Sequence, residues 1–160
     1  MAVTTQKSAE VTNITASPPT MLDTTSLHGR LRVAYFKHTQ DGAGDANSTA
    51  DLVQLPAGKG RILIRSSFLA SSAFGSGRTL DVGYTAHTDN NGDAVAADVD
   101  ALEDALNNSS ATNAFLGVGT GAADTYLYDS NAPLTIQAIC LGDTFPTAAT
   151  LEGYIVYVLD

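Results

Sequence analysis

The chain has 160 residues, enough for one domain with a sizeable core, and its single cysteine, Cys140, excludes an internal disulfide framework and any multi-cysteine zinc site. Only 16% of residues are charged, and abundant Ala, Gly, Ser and Thr fit a β-rich fold with many turns whose surface is partly covered by neighbours. The net charge is −9, with all eight Lys and Arg at or before Arg78 and twelve acids and no base from residue 79 onward, which excludes a grip on nucleic-acid phosphates.

Residues 1–28 read as an extended N-terminal arm. Thr, Ser, Asn and Ala dominate it, "SPPT" breaks any helix, and Val11, Ile14, Met21 and Leu22 are scattered. No apolar h-region of a secretory signal is visible and no run approaches membrane-spanning length, so the expectation is a protein made in a cytoplasm with no membrane partner. The arm is expected to order only by lying on a partner.

The compact domain, 29–160, is expected to be a single antiparallel β-sandwich. In "GRLRVAYFKH", Leu31, Val33 and Tyr35 alternate with Arg32, Ala34 and Phe36, which is strand periodicity. "TQDGAGDANSTAD" has no periodicity and reads as a loop. "LVQL", the turn "PAGKG" and "RILIRSSFLASS" follow, and in the last of these Ile62, Ile64, Ser66 and Phe68 share a face. "FGSGR" then turns the chain into the strand "TLDVGYTAH".

One short helix is expected at 96–106, "AADVDALEDAL", where Val99, Leu102 and Leu106 form a narrow apolar stripe. Asp98 or Asp100 would cap it, and Asp100 with Glu103 has capping-box spacing. Acids in the first turn also suit the positive end of the helix dipole. After "NNSSATN" and "GVGTGAAD", strands return at "TYLY", "LTIQAICL" and "LEGYIVYVL". "LPAGKGRILI" and "FPTAATLEGYIVYV" echo one another as matching hairpin starts of a sandwich, although two instances make no repeat.

The last strand is apolar on both faces: Leu151, Ile155, Tyr157 and Leu159 lie on one, Tyr154, Val156 and Val158 on the other. Such a strand must be covered on both sides. The second face therefore points to an oligomer interface at Tyr154, Val156 and Val158.

Chemistry finds little support. "HTDNNGDAVAAD", residues 87–98, gathers acids and a histidine, and Asp89, Asn91 and Asp93 match the first oxygens of an EF-hand loop. Its sixth position is Ala94 and its twelfth Asp100, so the sharp turn and the bidentate Glu are missing, and "NNG" reads as a turn. His28, His38 and His87 stand in separate segments without metal-ligand spacing. No nucleophile elbow occurs in strand–turn–helix context, "GSG" at 75–77 reads as a hairpin turn, and no βαβ unit frames "GVGTGAAD". Cys140, in "LTIQAIC", reads as a small core residue. The expectation is a non-enzyme with no catalytic residue, metal or cofactor. The acidic half could orient the chain against a charged partner or a neighbouring copy, or folding could interleave the two halves.

"LPAGKGRILIRSSFLASSAFGSGRTLDVGYTAH" with the downstream "ATLEGYIVYVLD" resembles a group of small virion-structural proteins of tailed bacteriophages, over roughly residues 52–160 and most strongly 55–87. The resemblance implies a jelly-roll β-sandwich that cements or decorates the outside of the capsid. The implied partners are the major capsid protein and the chain itself, as a homotrimer. It implies a place on the virion surface after synthesis in the host cytoplasm, and carries over no catalytic residue. The alternative is a head-fibre base or tail appendage with a receptor- or glycan-binding role, for which Tyr126 and Tyr128 in "TYLYD" are the candidate aromatics.

Overall fold

The computed structural model describes residues 15–18, 29–42, 47–117 and 124–159. The arm expected at 1–28 therefore lies outside the described residues, except for an exposed turn at 15–18. Two antiparallel sheets pack face to face as a β-sandwich, with a small separate hairpin.

The first sheet is built around β12 (Thr150–Leu159). β1 (Arg30–Thr39) pairs with all of it along one edge, from Arg30 opposite Leu159 to Thr39 opposite Thr150. Along the other edge, β3 (Gly58–Leu63) pairs with Tyr157–Leu159 and β4 (Phe68–Ser71) with Leu151–Tyr154. β10 (Thr125–Ser130) then extends β3, and β9 (Thr112–Phe115) extends β4. The second sheet runs β2 (Thr49–Leu55), β11 (Leu134–Leu141), β5 (Thr79–Tyr84), β8 (Asp98–Asn107). β6 (His87–Thr88) and β7 (Ala94–Val95) form the hairpin. The two echoed segments end up as hydrogen-bonded neighbours, since Ile62 of β3 lies opposite Tyr157 of β12.

The core lies between the sheets. Leu55, Ile62, Leu69, Leu80, Leu134, Ile136, Leu151 and Ile155 are all fully buried there. Period-two alternation accounts for most of it: Leu134, Ile136, Ala138 and Cys140 of β11 point one way, Leu151, Ile155, Tyr157 and Leu159 of β12 the other. Gly60 marks a close approach, because a Cβ there would overlap the ring of buried Tyr128. At Gly153 a Cβ would collide with the Phe68 carbonyl, so β12 and β4 depend on that glycine.

The helix expected at 96–106 is absent: those residues form most of β8. Tertiary pairing overrides local propensity here, since without β8 the edge of β5 would face a buried neighbourhood unpaired. The apolar stripe has another source. β8 is bulged against β5, with register shifts between Leu80 and Val82 and between Val82 and Tyr84. The bulge turns consecutive residues Leu102 and Glu103 both inward, breaking the alternation that would have identified a strand. Ala105 sits at φ 53°, a conformation no right-handed helix contains. Asp98 and Asp100 accordingly cap nothing.

The expected single strand "RILIRSSFLASS" is likewise two. A 3₁₀ turn at Ile64–Ser66 separates β3 from β4 and reverses the inward face. Ile62 and Leu69 point into the core, while Phe68, expected to share the face of Ile62, points outward. Buried Ser67 closes the gap. Its hydroxyl donates to the Leu63 carbonyl (3.0 Å) and accepts the Val156 N–H (2.9 Å), which has no ladder partner there.

Candidate interaction surface

The two sides of β12 differ in what covers them. Its inward face is core. On its outward face the cross-strand register assembles rows of side chains spanning the sheet. One row runs Tyr35, Tyr154, Phe68, Phe115. Its rings touch in sequence, with centroids 5.9 Å apart for Tyr35–Tyr154, 5.9 Å for Phe68–Tyr154 and 5.5 Å for Phe68–Phe115. A second row runs Leu31, Val158, Arg61, Leu127, and Val33 with Val156 lies between.

Five large hydrophobic side chains are exposed among the described residues: Tyr35 at 75%, Leu31 at 64%, Leu127 at 57%, Phe115 at 49% and Val33 at 44%. All five project from this one face. Scattered exposed apolar residues are ordinary, but a contiguous set on one sheet face marks an interaction surface. Beside the aromatic row a groove of about 380 Å³ is lined by Tyr35, Phe68, Tyr154 and the Lys37–Glu152 ion pair (3.4 Å).

Tyr154, Val156 and Val158 thus lie on the outward face, as their alternation indicated. The chain itself already covers part of it: Val156 is only 7% exposed, and Tyr154 and Val158 are half-buried. The exposed apolar area belongs to β1, β9 and β10. Sequence reading missed those residues because none of these strands reads as doubly apolar by itself. Only the register places them in one plane. Tyr128, named for a sugar site, is buried, its pKa pushed up to about 12 by that burial, and Tyr126 stacks on Tyr84 at 4.7 Å.

Charge stays segregated in space. The strands of the first sheet carry Arg30, Arg32, Lys37, Lys59 and Arg61 against Asp129 and Glu152. Lys37 is paired with Glu152 and Lys59 with Asp129 at 3.3 Å. The strands of the second sheet carry Asp51, Asp81, Asp98, Asp100, Glu103 and Asp104, with no Lys or Arg. Two of these acids are buried without a cation. Asp81 accepts the Ala105 N–H (2.7 Å) at the bulge, and Glu103 accepts the Gly117 N–H. Burial raises both pKa values against the lowering effect of those bonds, and nearby Asp104 raises them further. Asp98 is raised by its hydrogen bond with Asp100.

The acidic loop 87–98 is mostly the β6–β7 hairpin. The Asp89 carboxylate accepts the N–H groups of Asn91 (2.9 Å) and Asp93 (2.8 Å), which closes the turn and lowers its pKa. Its oxygens serve backbone donors. Among the described residues no group of three or more His, Cys, Asp or Glu is placed to hold a metal ion. His38 lies near Gln40 on β1 and His87 near the Thr85 carbonyl on β6, while His28 lies outside the described residues. Cys140 is buried in the core and its thiol pKa is raised by that burial.

No family model matches the chain, and no curated protein matches it. Among solved structures it is similar to a chain of the cyanophage Pam1 capsid asymmetric unit, with 17% identity and a TM-score of 0.49, covering 82% of this chain and 86% of that one. A second similarity is to the VP2 subviral particle of infectious bursal disease virus, at 14% identity and TM-score 0.45, covering 81% of this chain and 33% of that one. A third is to the capsid of Helicobacter pylori bacteriophage KHP30, at 13% identity and TM-score 0.31, covering 81% and 94%.

Proposed function

We propose that the protein is a non-enzymatic virion structural subunit that binds the outside of a tailed-phage capsid as a homotrimer and cements or decorates adjacent major capsid subunits. The observation that carries this reading is the gathering of the exposed large hydrophobic side chains on the outward face of the first sheet. A face of that kind suits a subunit that spends its working life docked. Its ionic groups at the groove and at β10 are already paired within the chain, so covering it with a shell subunit strands few charges. The sequence resemblance to phage virion-structural proteins points the same way.

The test is attachment to particles. The protein is expected in purified virions at a copy number that scales with the major capsid protein, and an image reconstruction should show it symmetrically on the shell exterior. Tyr35→Asp with Leu127→Asp, both at exposed positions, should abolish attachment while leaving the fold intact. Recovery only as a free monomer during purification of intact particles would overturn the proposal.

The groove favours a second reading, a head-fibre base or tail appendage that binds glycans. Tyr35 and Tyr154 offer ring faces for a sugar to stack on, with Lys37 and Glu152 as hydrogen-bonding groups beside them. A copy number fixed per vertex or per tail, together with sugar binding lost in Tyr35→Ala, would select it.

A further inference from the structure

We propose that the flank of the sandwich formed by β1 docks head to tail on the flank formed by β8 of a second copy of this chain. β1 and β8 are terminal strands of the two sheets, and they lie on opposite flanks. β1 pairs only with β12 and sits against β2, whereas β8 pairs only with β5 and meets the end of β9, where the Gly117 N–H reaches Glu103. Each therefore offers one strand edge without a ladder partner among the described residues.

The two flanks are opposite in charge. β1 exposes Arg30 and Arg32, neither in an ion pair among the described residues, and the neighbouring β2 adds one acid, Asp51. β8 exposes Asp98, Asp100 and Asp104, also without a cationic partner. Two further cations are committed elsewhere: Arg65 binds Asp124, and Arg78 binds Asp143 and the Phe74 carbonyl. Asp98 and Asp100 stand two residues apart on β8, and neither has an ion-pair partner among the described residues.

A symmetric contact through either flank would set like charges against each other, Arg30 and Arg32 against themselves or the β8 acids against themselves. Only the unlike pairing is complementary. Because it uses two different patches, the contact is heterologous, giving a ring where the rotation between copies closes and an open chain of copies where it does not. β1 is also the regular partner: its ten-residue ladder with β12 is unbroken, so neither proline nor a bulge blunts its open edge. This contact needs nothing from a shell, and it leaves the outward apolar face free for one.

Sedimentation of the full chain at low and high salt tests it, with Arg30→Glu/Arg32→Glu and Asp98→Lys/Asp100→Lys as separate double variants. The native chain should self-associate with a dissociation constant that rises with ionic strength. Each double variant should weaken association by about tenfold or more at low salt with unchanged circular dichroism. Mixing the two variants should restore association with the two chains alternating, since the acidic β1 flank of one meets the basic β8 flank of the other and the second contact between them keeps its native charges. Combining all four substitutions in one chain should restore association. A native chain that stays monomeric at low salt, association that strengthens with salt, or a combined variant that associates no better than either parent would overturn the inference.

Discussion

Three side chains show how single residues hold irregular backbone in place. Ser67 stands where β3 gives way to β4 and supplies the acceptor that Val156 would otherwise lack. Ser67→Ala should cost about 1–3 kcal/mol in chemical denaturation, because a buried N–H loses its partner. Asp81 plays the same part for Ala105 at the β8 bulge, and Glu103 for Gly117. Both carboxylates are raised in the folded state, Glu103 from an ordinary value of 4.5, so the folded chain binds more protons than the unfolded one above that pH. Their contribution to stability is therefore greatest below the ordinary carboxylate range and is lost as pH rises through the raised values. Glu103→Gln keeps an acceptor for Gly117 without a charge to bury. Urea unfolding across a pH series should show a shallower fall toward neutral pH in this variant than in the native chain, and parallel curves would contradict the assignment.

The elements most legible in the sequence were the regular ones. β1, β5, β11 and β12 alternate plainly because each runs unbroken, and β12 announced two apolar faces through Tyr154, Val156 and Val158. β8 misled because its bulge imitates a helical stripe with good helix formers, and the β3–β4 break was hidden because a 3₁₀ turn leaves no proline or glycine behind. Short strands such as β9, in "TNAF", carry too few residues for any period to show. Ala105→Gly separates the two readings of residues 96–106. At φ 53° an alanine is strained, so glycine should stabilise the protein by about 0.5–1 kcal/mol, whereas in a helix it would cost about 1 kcal/mol. Thermal unfolding decides by the sign.

At the scale of the molecule, the linear asymmetry of charge becomes a difference between two sheets, because the basic segments before Arg78 supply β1 and β3 while the later acids fall largely on β8 and its surroundings. Composition could reveal the imbalance but not which surfaces would carry it, since that depends on strand order. The candidate surface was legible in the same partial way: one strand was found in the sequence, and the register added the rest of the plane. That register has a price in time. Among the described residues β12 is the only strand that joins β1 to β3 and β4, and its partners precede it by up to 129 positions, as in the pairing of Arg30 with Leu159. During synthesis β1 emerges early and has no strand to pair with until β12 follows. The strand whose outer edge is proposed to recruit a second copy is thus, until β12 is made, open on its other edge to capture by the wrong neighbour.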